Sequence, residues 1–251
     1  MIQSIGEAID FGFSRELFRQ IYAGKAVYLF RRAFDPNLVS WTDVDEALLA
    51  AEAGGSSLRL FRDGEVPRAG FMESLGLGGA RQRIVRAAFC EHIEKGATLV
   101  FDGIEAHSAV FASIAGRVAA FAGGRAMAQG MISLLDTEAF AEQREPHDLF
   151  SLQLIGRKRW QVYRPDLQYP LAFDAMLEAG DVLYVPRGWW HMSAPARRES
   201  FHFNVSVRGE VRGETWSEMH GGMRGGEVRH VDPRRQAGTP SFRPAGAPCP
   251  D

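Results

Sequence analysis

The chain has 251 residues, 45% hydrophobic and 24% charged, with a formal net charge of −2. This is the balance of an ordinary globular protein, and it offers no positive field to gather nucleic acid or an anionic membrane. There is no apolar run long enough to span a bilayer and no basic-then-apolar leader in MIQSIGEAIDFGF. The distant Cys90 and Cys249 make neither a disulfide framework nor a zinc-ligand spacing. A cytoplasmic protein with one large domain is expected.

Residues 1–90 mix helical and strand patterns. SRELFRQIYAG spaces Leu17, Phe18, Ile21 and Tyr22 for a helix, with Ser14 as N-cap and Gly24 as stop. AVYLF at 26–30 reads as a short buried strand. WTDVDEALLAAEAGG reads as a helix capped by Thr42 with Asp45 and ended by Gly54 and Gly55. SLRLFRDG alternates and then turns at Asp-Gly, as a strand does. In 91–210, TLVFDG is a strand, followed by a helix rich in Ala, Val, Ile and Phe. From Met131 the helical signal fades into MISLLD, DLFSLQLIG, KRWQVYRP, DVLYVP and SFHFNVSV, short strands punctuated by Gly, Pro and Asp. Strands this dense predict an antiparallel sandwich or barrel. Residues 211–251 are rich in Gly, Pro and Arg and poor in large apolar side chains, so a disordered or loosely pinned tail is expected.

The chemistry concentrates in two stretches. GDVLYVPRGWWH places His191 behind a strand end and two tryptophans, a setting suited to a metal at a barrel mouth. In Gly156-Arg157-Lys158-Arg159-Trp160, strand alternation points Lys158 opposite to its two arginine neighbours, so arginines outside mean a lysine inside. A cation in an apolar barrel needs an anion. SFHFNVSV sets Ser200, His202, Asn204 and Ser206 on one face and Phe201, Phe203, Val205 and Val207 on the other. The polar face either lines a site or belongs to a half-exposed edge strand.

GDVLYVPRGWWH and DLFSLQLIGRKRWQVY together resemble the JmjC group of the cupin superfamily, specifically the bacterial proteins that include ribosomal oxygenases and asparaginyl hydroxylases. The similarity runs from about Glu91 to Val207. The resemblance implies a mainly β fold with flanking helices, a double-stranded β-helix or jelly roll, with 1–90 packing on the barrel. It implies hydroxylation of a peptide, protein or small molecule using Fe(II), or another divalent metal, and 2-oxoglutarate, and family members often dimerise. His191 matches the distal metal-binding histidine, and Lys158 matches the residue that pairs with the far carboxylate of 2-oxoglutarate. Asn204 and Ser206 become candidate cosubstrate contacts.

The proximal metal pair departs from the family's His-x-Asp: counting back from Gly156 gives Gln143-Arg144-Glu145. The i, i+2 spacing keeps both side chains on one strand face, and glutamate is a credible oxygen ligand. Glutamine offers a neutral amide, weak for ferrous iron beside imidazole. Glu145 with His147 is a second i, i+2 pair that would restore two histidines and a carboxylate with His191, although it displaces a ligand by about 13 Å along an extended strand. Phe140 stands where relatives often carry a small hydroxyl residue. Three readings follow: an oxygenase with a modified metal set, a pseudo-oxygenase that binds without redox chemistry, and a non-oxidative cupin metalloenzyme.

Overall fold

The computed structural model describes residues 7–54, 58–62, 64–75, 81–134, 142–165, 170–195, 199–209 and 227–229. In chain order the elements are α1 (Arg15–Ile21), β1 (Tyr28–Phe30), α2 (Trp41–Gly54), β2 (Leu58–Phe61), β3 (Met72–Leu75), β4 (Arg81–Ile84), α3 (Arg86–Glu94), β5 (Thr98–Asp102), α4 (Ala109–Ala122), β6 (Gly124–Ser133), β7 (Glu142–Arg144), β8 (Asp148–Ile155), β9 (Arg157–Tyr163), β10 (Leu171–Glu178), β11 (Val182–Val185), β12 (Trp190–Pro195), β13 (Ser200–Gly209) and β14 (Glu227–Arg229). The expected Gly/Pro/Arg-rich tail lies outside the described residues apart from β14. No helix among the described residues is long and apolar enough to cross a membrane.

Two sheets build the barrel. The larger runs β1-β11-β8-β13-β6-β5-β2 and the smaller β10-β9-β12-β7-β14. All their pairings are antiparallel. The architecture is the mainly β jelly roll with flanking helices expected from the sequence. The N-terminal segment does more than pack on it: β1 pairs with β11 and β2 with β5, so both extend the larger sheet.

Alternation decides which face each residue takes. On β13, Phe201, Phe203, Val205 and Val207 join Phe150, Leu152 and Leu154 of β8 and the apolar stripe of α4 (Phe111, Ile114, Val118, Phe121) in one buried core. The opposite face carries Ser200, His202, Asn204 and Ser206 into the barrel, all buried. β13 lies between β8 and β6 in the middle of the sheet, which excludes the half-exposed edge strand as a reading of its polar face.

Local chemistry sets the corners. Gly156 (φ 69°) turns the chain from β8 in one sheet to β9 in the other, and a Cβ there would sit 2.2 Å from the carbonyl oxygen of Glu199. The carboxylate of Asp181 accepts from the Arg31 guanidinium at 2.6 Å and the Arg32 amide at 3.1 Å, tying the segment after β1 to the turn before β11. Helix α2 begins at Trp41, two residues earlier than a Thr42 cap implies. Its capping residues are Ser40 and Asp43, with the Ser40 amide and hydroxyl both donating to the Asp43 carboxylate at 2.8 and 2.7 Å.

Candidate active site

His191 follows the end of β11 and the two tryptophans as expected and is itself the second residue of β12, directly opposite Gln143 on β7 and Val162 on β9. Opposed residues of antiparallel strands share a face, so Gln143 and His191 meet as the family register requires. His191 is buried, its Nδ1 lies 3.3 Å from the Trp189 carbonyl oxygen, and burial pushes its pKa down to about 4, which keeps the ring neutral.

Lys158 projects inward from β9 at 1% exposure, while Arg157 and Arg159 point to solvent, as the alternation predicts. Arg159 there pairs with Asp174 of β10 at 2.6 Å. Inside, the Lys158 ammonium has one described hydrogen bond, donated to Ser133 Oγ at 3.2 Å. Burial lowers its pKa to about 7. On β8, β9 and β13 further buried polar groups have an atom unpartnered among the described residues: Ser151 Oγ, Gln153 Oε1, Asn204 Oδ1, Trp160 Nε1 and both ring nitrogens of His202. Such exceptions are uncommon in folded interiors and cluster where a ligand belongs. A cavity of about 10 Å³ opens beside Trp160, His202 and Asn204, lined also by Met131, Gln143, His191, Met192 and Ser193. It has room for roughly one water molecule.

The other expected ligands fall elsewhere. β7 ends at Arg144, so Glu145 leaves the strand and is not part of the cavity wall. Its backbone carbonyl accepts from the Gly188 amide at 2.8 Å. Burial raises the Glu145 carboxyl to about 7, opposed by the charge of Arg59. Arg59 itself holds Asp102 at 2.7 and 2.9 Å. His147 sits in the bend between β7 and β8, so the extended strand through Pro146 does not form. Among the described residues no three His, Cys, Asp or Glu side chains gather to hold a metal ion, so Glu145, His147 and His191 do not assemble the restored triad. Phe140 lies outside the described residues.

The two groups implied by the resemblance therefore fare differently. The donor chemistry suits the dicarboxylate: a desolvated lysine with spare donors lies inside the barrel, although it is not in the wall of the small cavity. Ferrous iron in the family's manner does not, because an amide replaces one imidazole and the carboxylate stands off the cavity. The sequence reading passed over His202, Ser133 and Trp160. Alternation did place His202 on the inward face, but only the sheet pairing shows which residues it meets.

With this geometry, residues 111–214 match the family model described as the JmjC domain. That stretch is similar to the JmjC domain. Its similarity to curated JmjC proteins is local. The bifunctional lysine-specific demethylase and histidyl-hydroxylase NO66 of Brugia malayi is 36% identical over 108 residues, 35% of this chain and 15% of that protein. NO66 of Dictyostelium discoideum is 32% identical over 103 residues, covering 34% and 19%. The JmjC fold is also that of YcfD, a ribosomal oxygenase from Escherichia coli, with a TM-score of 0.56 and 20% identity over 95% of this chain and 63% of that one. YcfD has also been solved with cobalt and 2-oxoglutarate. This chain thus spans under a fifth of those two curated relatives and less than two thirds of the solved one.

Proposed function

We propose that the protein is a JmjC-type 2-oxoglutarate-dependent oxygenase of the hydroxylase class, acting on a protein or peptide side chain. Lys158 carries the reading. A buried cation whose described hydrogen bonding amounts to one serine hydroxyl is costly unless an anion joins it, and it points into the barrel, where the JmjC family places its cosubstrate. Lys158 and Ser133 grip one carboxylate of 2-oxoglutarate, while Asn204 and Ser206 supply polar wall on β13. Admitting a five-carbon dicarboxylate requires the cavity to widen, and Trp160, Met131 and Met192 are bulky side chains lining it. The names of the relatives, a histidyl-hydroxylase and a ribosomal oxygenase, support a protein substrate. A divalent metal would supply the oxygen-activating chemistry; the Gln143 and Glu145 positions do not provide its usual donors.

Titration with 2-oxoglutarate, followed by a succinate assay on anaerobically iron-loaded protein with candidate peptides, tests this. Binding and succinate release are expected, and Lys158→Met should lose both. A specific observation favours a second reading, that of a non-redox binding protein: Gln143 stands opposite His191 where an imidazole is required. Tight 2-oxoglutarate binding with no succinate under any metal would establish that alternative.

A further inference from the structure

The imidazole absent at position 143 has a counterpart on another strand. His202 projects from β13 into the same cavity as His191 and Gln143. It is 0% exposed, and neither ring nitrogen has a partner among the described residues. One indole flanks both rings: the Trp160 centroid lies 5.9 Å from that of His191, nearly parallel, and 5.3 Å from that of His202, edge-on. Beside them, Asn204 turns its amide nitrogen to Met131 Sδ at 3.5 Å, leaving its Oδ1 unpartnered. Two imidazoles and the amide side chains of Gln143 and Asn204 therefore border a space of about 10 Å³, the size of a single ion or water.

We propose that this cavity is a metal site whose second imidazole has moved from β7 to β13: His191 and His202 hold a divalent ion of the zinc, nickel or cobalt type, with amide oxygens of Gln143 and Asn204 completing the set. The inference rests on reading the barrel interior as the cosubstrate chamber. The donor chemistry selects the ion. Hard cations such as magnesium and calcium need anionic oxygens, and none borders the cavity. Imidazole binds the later first-row divalent ions more tightly than ferrous iron. With no carboxylate to balance the charge, affinity comes from the two rings, so each is individually indispensable. Glu145, the carboxylate at the family's position, is dispensable.

Cobalt(II) titration of the whole chain, read by its visible ligand-field bands, tests the proposal alongside zinc(II) calorimetry. The expected result is one ion per chain, at least a thirtyfold loss of affinity in His191→Ala and in His202→Ala, and a change within twofold in Glu145→Ala. X-ray absorption of the zinc-loaded wild type counts imidazoles without relying on any variant's folding, and two are expected. One imidazole, unchanged cobalt affinity in a folded His202→Ala, loss of affinity in Glu145→Ala, or no binding of either ion by the wild type would each overturn it. Metal-free 2-oxoglutarate titration with Lys158→Met as control keeps the two readings separable. If the dicarboxylate does not bind, the oxygenase reading fails whatever the metal data show. If His202→Ala weakens dicarboxylate but not metal, His202 is a cosubstrate contact and the metal site is refuted.

Discussion

The two faces of β13 do opposite work. Outward, Phe201, Phe203, Val205 and Val207 are fully satisfied by apolar neighbours from β8 and α4. Inward, His202 and Asn204 keep polar atoms unpartnered among the described residues, next to a lysine with a single hydroxyl for company. One strand thus anchors the fold on one side and holds the chamber in a polar, imperfectly satisfied state on the other. The burial is equal; the difference is whether contacts are completed by the chain or left for a ligand.

Substitutions on either side should separate these roles. The largest effect belongs to the outer face. Phe203→Ala removes a 0% exposed ring packed 5.4 Å from Phe111, and a loss of about 3–5 kcal/mol is expected in denaturant unfolding. Inside, Lys158→Met should leave the fold at least as stable at neutral pH while changing how stability depends on pH. The folded lysine titrates near 7 and an unfolded one near 10.5, so the unfolded chain binds the extra proton between those values. Wild-type stability contributed by this group is complete above the unfolded value and is lost as pH falls towards 7, a slope of up to about 1.4 kcal/mol per pH unit. Unfolding curves between pH 7.5 and 9.5 should show that rise in the wild type, and Lys158→Met should flatten it. An equal slope in both proteins would mean that the lysine is not desolvated.

A smaller effect tests the corner joining the two sheets. Gly156→Ala puts a side chain at φ 69° against the Glu199 carbonyl and should cost at least about 2 kcal/mol, read as a lowered Tm. The smallest effect sharpens the inside–outside contrast on β9. Arg159→Ala breaks a pair with Asp174 in which the arginine side chain is 50% exposed, so stability should move by less than about 1 kcal/mol and 2-oxoglutarate affinity should not change.

Much of the molecule was legible because short-range rules sufficed. Ser14 caps α1 by accepting from the Leu17 amide at 3.2 Å. DLFSLQLIG and SFHFNVSV became β8 and β13, and Lys158 turned inward between two outward arginines. Three features escaped for physical reasons. β6 starts at Gly124, seven residues before Met131, because pairing with β13 along its whole length overrides the local preference of that stretch. β10 went unread because it lies on the sheet's outer edge with mixed burial and no clean alternation. The segment after Arg144 bends instead of staying extended, and this carries Glu145 and His147 away from His191.

By itself the sequence determined the periodicities, the corners and the identity of the chemical groups, since these depend on neighbours within a few residues. It therefore sufficed for an antiparallel sandwich or barrel, the inward lysine and the histidine behind the paired tryptophans, while the jelly roll itself came from the family resemblance. Which inward groups share one cavity was decided only by tertiary structure. Gln143, His191 and His202 come from three strands whose juxtaposition depends on sheet order and register, and side-chain alternation within a strand carries no information about its partner across the barrel.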